Sequence, residues 1–417
     1  MNPKTAVIAG FDAVSPLGTE LPVQWDRALK GRSGIGPLTR FPLTEDFPVR
    51  VAGQVAPFDP APYPFLSPRA MAHWTSPIYP HALLTVHRAL THSGIDIDST
   101  LAPRVAITFS SAVGGQDAVL SADRKMIAEH KLPHPFTNPN SCINMVGGKV
   151  SILTGATGPI VSTITACATG VTSMIMGAML IRQGMADVVI CGAVDFALVE
   201  PIVAGFYTMN GAYAPKPGRK ADPPHRTSRP FSIDRRGFVI SEGAAALILC
   251  SHEFARAHGL DTKIALAGYA MTSDAHHFVA PNLATVSRCI NESLASARID
   301  ARQIDAVNAH AASTRIGDRV EYDALVENFF DRIPPVTANK SLIGHAMGAS
   351  SAIESVFTIM GMINRTLIPT INYTEDPTLP IDCVSEGPRR LEQEFVLKNA
   401  FGFGGCNSCV VFQKIDI

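Results

Sequence analysis

The sequence predicts an α/β fold built from two similar halves, and three observations carry that reading. Short β-prone apolar runs alternate along the chain with segments whose apolar residues recur every three or four positions, the pattern of strands covered by helices. The chain has 417 residues, 46% hydrophobic and 17% charged, enough to bury a large core and divide into more than one unit. The chain also repeats itself. Residues 263–274 echo residues 5–15, each a β-run, then Ala-Gly-aromatic, then a Ser turn. Residues 291–300 echo residues 87–96, each closing a helix before another β-run. The halves fall at 1–251 and 252–417, and the alternation predicts mainly parallel sheets.

Taken in order, residues 5–10 read as a buried strand and 21–30 as a helix that Gly31 breaks. Residues 41–70 are rich in Pro and Phe without periodicity and form an irregular excursion. A helical pattern over 76–93 precedes a strand at 104–109. Helical segments follow near 116–129 and 140–154, then a β-prone run at 159–165, a helix to about residue 183 and a strand at 187–191. Residues 216–230 are basic and Pro-rich, a surface loop, and 237–250 end the first half with a strand. In the second half, 263–274 and 306–310 read as strands, and a helix follows Gly348.

The chemistry gathers at four places. Cys167 sits in Thr165-Ala-Cys-Ala-Thr-Gly170, between the β-prone run and a helix. A helix N-terminus favours a thiolate there, the form that acts as a nucleophile. A small buried thiol is the other reading of the same residue. His310 follows a strand, where α/β sheets often place catalytic groups. Lys340, His345 and Glu354 share one short, otherwise apolar stretch in which unpaired burial would be costly. Phe401-Gly-Phe-Gly-Gly405 permits unusual dihedrals and leaves N–H groups free to face a ligand. A cysteine, two histidines and a Gly-rich turn are the parts of acyl transfer: nucleophile, hydrogen-bond donors and oxyanion site.

Other classes are disfavoured. The net charge of -1 and the lack of a long basic run give no footprint for nucleic acid. No apolar run reaches the roughly 20 residues of a membrane span. The N-terminus lacks a signal-peptide pattern, so the eight cysteines read as reduced thiols in a cytoplasmic protein. Cys406 and Cys409 match C-x-x-C, but no second pair completes a zinc site, and no metal is expected.

With these residues in view, the chain resembles the β-ketoacyl-[acyl-carrier-protein] synthase family, in its elongating, type II class. The matching motifs are Thr165–Gly170, Asn308-Ala-His310 with Ser313-Thr314, Lys340-Ser341 with Gly344-His345, and Phe401–Gly405, in family order. The long segment 229–244 also resembles a family signature. The resemblance implies the thiolase fold, five layers αβαβα made of two pseudo-duplicated halves. It implies that Cys167 accepts an acyl chain and that His310 and His345 stabilise the enolate left when a malonyl unit loses CO2. The N–H groups of Cys167 and Phe403 would form the oxyanion hole, with Phe403 also the gate. Lys340 and Glu354 would be the supporting ion pair. Ser313, Thr314 and Phe401 would contact substrate, with Val113 and Phe206 near the acyl tunnel. The implied partner is an acyl carrier protein whose phosphopantetheine bears the substrate, with no cofactor of the chain's own. The family forms dimers, so a homodimer, or a heterodimer with a chain-length-factor-like subunit, is expected along residues 159–164.

Departures from the family pattern mark a specialised relative. Ala312 replaces a threonine that bonds the pantetheine arm, Ser232 and Ser241 replace Asp and Gly, and Ser350-Ser351 replaces Ala-Gly. The loop before Asn140 is short. These point to a polyketide or polyene ketosynthase rather than ordinary fatty-acid elongation. A non-catalytic chain-length partner subunit is the alternative, and a thiolase with Cys406 or Cys409 as second cysteine is a third.

Overall fold

The computed structural model describes residues 2–215, 221–330 and 332–415; part of the 216–230 loop expected from sequence, residues 216–220, lies outside them. The two echoing β-runs are the strands Ala6–Val14 and Ile264–Ser273, which meet at one antiparallel pair, Val7 with Ala265. Around that seam the strands run in the order Val105–Ile107, Val188–Phe196, Glu242–Ser251, Ala6–Val14, Ile264–Ser273, Cys406–Lys414, Phe395–Gly402, Ala306–Asn308, Val336–Thr337. The first four belong to one half and the last five to the other.

Helices complete five layers. Ile78–Ser93, with Asn144–Thr154 against it, covers the outer face of the first half. Leu283–Ala297, backed by Arg315–Phe329, covers that of the second. Thr169–Arg182 and Met347–Asn364 lie between the halves and pack on strands of both. These two helices read as apolar all round, the signature of a fully buried helix. Their residues Val171, Ile175, Ile353 and Val356 anchor the central core. The crossing is close because Gly170 leaves no room for a side chain: a Cβ there would stand 2.4 Å from the Ala352 nitrogen. This is the thiolase fold.

Three expectations need correction. The sheet is mixed rather than mainly parallel. Only the pairs Val105–Ile107 with Val188–Phe196, and Ala306–Asn308 with its two neighbours, are parallel. Phe395–Gly402 and Cys406–Lys414 form a hairpin, and a return without a helical crossover must be antiparallel. The β-prone run at 159–165 is extended but joins the sheet only through a parallel bridge from Ile160 to Ile107. Ile160 and Ile164 remain exposed. The segment 140–154 falls in two helices, Thr137–Ser141 and Asn144–Thr154, broken at the extended Cys142, while the buried Asn140 amide of the first holds the backbone of Thr75 and His73.

Candidate active site

Cys167 occupies a single 3-10 turn, Ala166–Ala168, that runs straight into the helix Thr169–Arg182. Ala166 takes a left-handed conformation with φ 48°. Thr169 holds the turn by donating its hydroxyl to the Ala166 carbonyl and accepting the Thr165 N–H. The turn lies tight against the Phe395–Gly402 strand, where a Cβ on Gly402 would come within 2.3 Å of the Thr165 carbonyl oxygen. Only 8% of Cys167 is exposed. Its sulfur lies 3.1 Å from His345 Nε2, and the N–H groups of Phe403 and of Cys167 itself act to stabilise its charged form.

Burial pushes the Cys167 thiol up to about 11, partly offset by the charge of Lys340 and by those N–H groups. Burial therefore favours the thiol, whereas a helix terminus taken alone favours the thiolate.

His310 stands just past the strand Ala306–Asn308. Its main chain is gripped from both sides: the N–H donates to Glu321 Oε1 (2.8 Å) and the carbonyl accepts from Lys340 Nζ (2.5 Å). His345 is fixed by its N–H to the Val239 carbonyl (2.7 Å) and by its own carbonyl, which accepts the Ser241 N–H (2.9 Å). The two rings face one another edge-on with centroids 5.8 Å apart. Burial holds both imidazoles well below the ordinary histidine range, and the nearby Lys340 and Lys398 charges add to this. Both rings are neutral at physiological pH, so each offers an N–H donor without a full charge.

Beneath the histidines lies a dry charge cluster. The Glu354 carboxylate accepts from Lys340 Nζ on one oxygen and Lys398 Nζ on the other, each at 2.6 Å, and all three side chains are buried. The Lys340–Glu354 pair expected from sequence is present, but Lys398 is its unforeseen third member. Glu321, supported by Asn399 Nδ2 at 3.0 Å, was also missed. Lys398 carried a signal: it is the lone charge in the apolar strand Phe395–Gly402. Glu321 carried none, because its helix is polar enough to pass for a solvated one.

A cavity of about 630 Å³ opens onto Cys167, His310 and His345. Phe206, Thr314, Phe401 and Phe403 line it, as expected, and so does Ala312. Arg315 lines the same cavity, as do Asp274 and Arg236, the latter paired with Asp222. The remaining candidates do not line it. Val113 packs behind, in a cluster with Phe206 and Phe403. Ser313 is fully buried at φ 68°, its hydroxyl oxygen accepting the Arg229 N–H, so it shapes the loop rather than touching substrate. Cys406 and Cys409 are three apart on one strand and point to opposite faces. Cys409 Sγ contacts Asn399 Oδ1 at 3.3 Å, and neither thiol lines the cavity, so no second thiol of thiolase type faces Cys167. Among the described residues, no group of three or more His, Cys, Asp or Glu side chains could hold a metal ion, and no helix is long and apolar enough to cross a membrane.

Comparison with known proteins gives the same constellation a lineage. Residues 4–255 match the family described as "Beta-ketoacyl synthase, N-terminal domain", and residues 264–374 match "Beta-ketoacyl synthase, C-terminal domain". The chain is 32% identical over 427 residues to 3-oxoacyl-[acyl-carrier-protein] synthase 2 of Coxiella burnetii, covering 100% of each. Among solved structures it resembles a beta-ketoacyl synthase from Burkholderia phymatum STM815, with a TM-score of 0.91 and 28% identity over 99% of this chain and 100% of that one. It also resembles the ishigamide ketosynthase/chain length factor, with a TM-score of 0.90 and 28% identity over 99% of each chain.

The charge balance makes two predictions. Alkylation of Cys167 by iodoacetamide rises about tenfold per pH unit from pH 7 to 10, because the thiolate fraction grows until the pH reaches the raised pKa. A plateau near pH 8 would mean that the folded site favours the thiolate. Glu354→Gln leaves two buried ammonium groups without their carboxylate and lowers the unfolding free energy in urea by roughly 3–5 kcal/mol, the cost of breaking a buried pair.

Proposed function

The chain belongs to the β-ketoacyl synthase family and is a ketosynthase, a condensing enzyme of the acyltransferase type; on that premise we propose that it extends a Cys167-bound acyl chain by two carbons from malonyl-acyl carrier protein, with loss of CO2. The observation that carries this reading is the convergence on one sulfur. Cys167 Sγ has His345 Nε2 at 3.1 Å and the Phe403 and Cys167 N–H groups acting on its charge, and it opens onto a cavity of about 630 Å³ shared with both histidines.

Cys167 Sγ attacks the acyl thioester of the carrier arm. The arm leaves as a thiolate and takes up the proton that Cys167 gives up. The emptied arm is replaced by malonyl-carrier protein, whose thioester carbonyl oxygen sits beneath the N–H groups of His310 and His345. The bond to the carboxylate breaks, CO2 leaves, and its electron pair becomes the enolate those N–H groups stabilise. Hydrogen bonds to developing charge count for more in a low-dielectric cavity than in water. The enolate carbon attacks the acyl-Cys carbonyl. The oxyanion that forms is held by the Cys167 and Phe403 N–H groups, and its collapse expels the Cys167 thiolate, which regains a proton.

A phosphate links the carrier arm to its protein, and the positive charge of Arg315 at the cavity suits it. Thr314 Oγ1 accepts the Gly317 N–H at 3.2 Å, leaving its hydroxyl hydrogen to donate to the arm. The departures at Ala312 and Ser350-Ser351 favour a specialised polyketide or polyene pathway. The relation to the ishigamide ketosynthase/chain length factor supports a second subunit, which would pair along residues 159–164, where Ile160 and Ile164 are exposed. The non-catalytic partner reading is disfavoured because Cys167, His310, Lys340 and His345 are all present and assembled.

Mass spectrometry of the intact protein incubated with a panel of acyl-carrier proteins tests the reading. Wild type gains an acyl group on Cys167, and Cys167→Ser gains none; acylation retained in that variant would remove Cys167 from the chemistry. Ala312→Thr restores one hydrogen bond to the arm. One neutral bond is worth roughly 0.5–1.5 kcal/mol, so the KM for carrier protein falls about three- to tenfold with kcat little changed.

A further inference from the structure

The two ring nitrogens of His345 have different neighbours. Nε2 lies 3.1 Å from Cys167 Sγ, and Nδ1 lies 2.9 Å from Ser350 Oγ. A neutral imidazole carries one proton, so one nitrogen donates while the other accepts. Two arrangements satisfy this. In the first, the Cys167 S–H donates to Nε2, and Nδ1–H donates to the Ser350 oxygen. In the second, the Ser350 hydroxyl donates to Nδ1, and Nε2 keeps the proton.

The surroundings of Ser350 separate them. Its side chain is fully buried, near the start of the helix Met347–Asn364. Among the described residues, His345 Nδ1 is the only hydrogen-bond partner of its hydroxyl. The first arrangement therefore leaves a buried O–H hydrogen with no acceptor, the expensive kind of unmade bond. The second leaves only an S–H hydrogen without one, and a thiol is a weak donor.

We propose that Ser350 is a positioning residue that donates to His345 Nδ1 and so holds His345 as its Nε2–H tautomer, aimed at the cavity above Cys167. The inference rests on the reading of His345 as a donor to the enolate, because only this tautomer presents a hydrogen there. The opposite tautomer would turn a lone pair toward the enolate oxygen and repel it. The resemblance pairs this position with a small alanine, so the hydroxyl is a departure from the expected pattern. Neighbouring contacts hold Ser350 in register: the Ala349 N–H is bound by Asp195 Oδ2 at 3.2 Å, and Ser351 Oγ accepts the Val171 N–H at 3.3 Å.

Nitrogen-15 NMR of the full chain labelled at histidine, with no substrate added, reads the tautomer directly; the His345 signals are assigned by their loss in His345→Gln. The wild type is expected to show a protonated Nε2 and an unprotonated Nδ1. Ser350→Ala, which removes one buried oxygen, is expected to show a mixture of the two tautomers. CO2 release from malonyl-carrier protein should then slow about three- to tenfold, the rate equivalent of one neutral hydrogen bond. A protonated Nδ1 in the wild type would overturn the proposal, as would an unchanged tautomer in Ser350→Ala. The tautomer is read in the resting protein, so a protein that never releases CO2 would refute the proposed function while leaving this measurement meaningful.

Discussion

A carboxylate held between two ammonium groups lies at the centre of this molecule. Glu354 comes from the inter-sheet helix Met347–Asn364, Lys398 from the strand Phe395–Gly402, and Lys340 from the turn before His345. Taking each ion out of water costs several kcal/mol, and only short, well-directed contacts recover it. The cluster therefore specifies how helix, strand and turn meet. Lys340 extends the constraint by binding the His310 carbonyl. The surplus positive charge also reaches the chemistry: Lys340 and Lys398 help keep both imidazoles neutral, and Lys340 pulls against the burial that raises the Cys167 thiol. One cluster thus ties together a helix, a strand and a turn of the second half, sets the histidines and biases the field toward a developing anion.

Much of this was legible in the sequence because it rests on periodicity and on scarce residue types. The duplicated strands at 5–15 and 263–274 show as alternation and turn chemistry, which local sequence encodes. Cys167, His310 and His345 stand out because small residues and glycines surround each. What stayed hidden depends on distant partners. Nothing local says that Glu321 turns inward to bind the His310 and Ala311 N–H groups, or that Asp195 accepts the Ala112 and Val113 N–H groups under the site. The balance between thiol and thiolate at Cys167 was hidden for the same reason. A helix terminus is visible in sequence, while the degree of burial that outweighs it is a tertiary fact.

The run at 159–165 shows a different limit. Its composition is that of a strand, yet within this chain it makes a single bridge. β-propensity registers a surface fit for pairing, without saying which chain supplies the partner. Val113 and Ser313 show what motif alignment leaves open: Val113 packs in one cluster with Phe206 and Phe403, and Ser313 braces a loop. The departures at Ala312 and Ser350 are more informative, because each bears on a named atom. Under the proposed function Ala312 lacks a hydroxyl for the carrier arm, while Ser350 brings one to 2.9 Å from His345 Nδ1.

The account stands or falls on the fate of the malonyl carboxylate. Supplying the protein with an acyl-carrier protein and with malonyl-carrier protein labelled with carbon-14 in its free carboxyl group measures it directly. One labelled CO2 released for each condensed product is the result the geometry predicts. Acyl-Cys167 that forms and persists with no labelled CO2 released would contradict it.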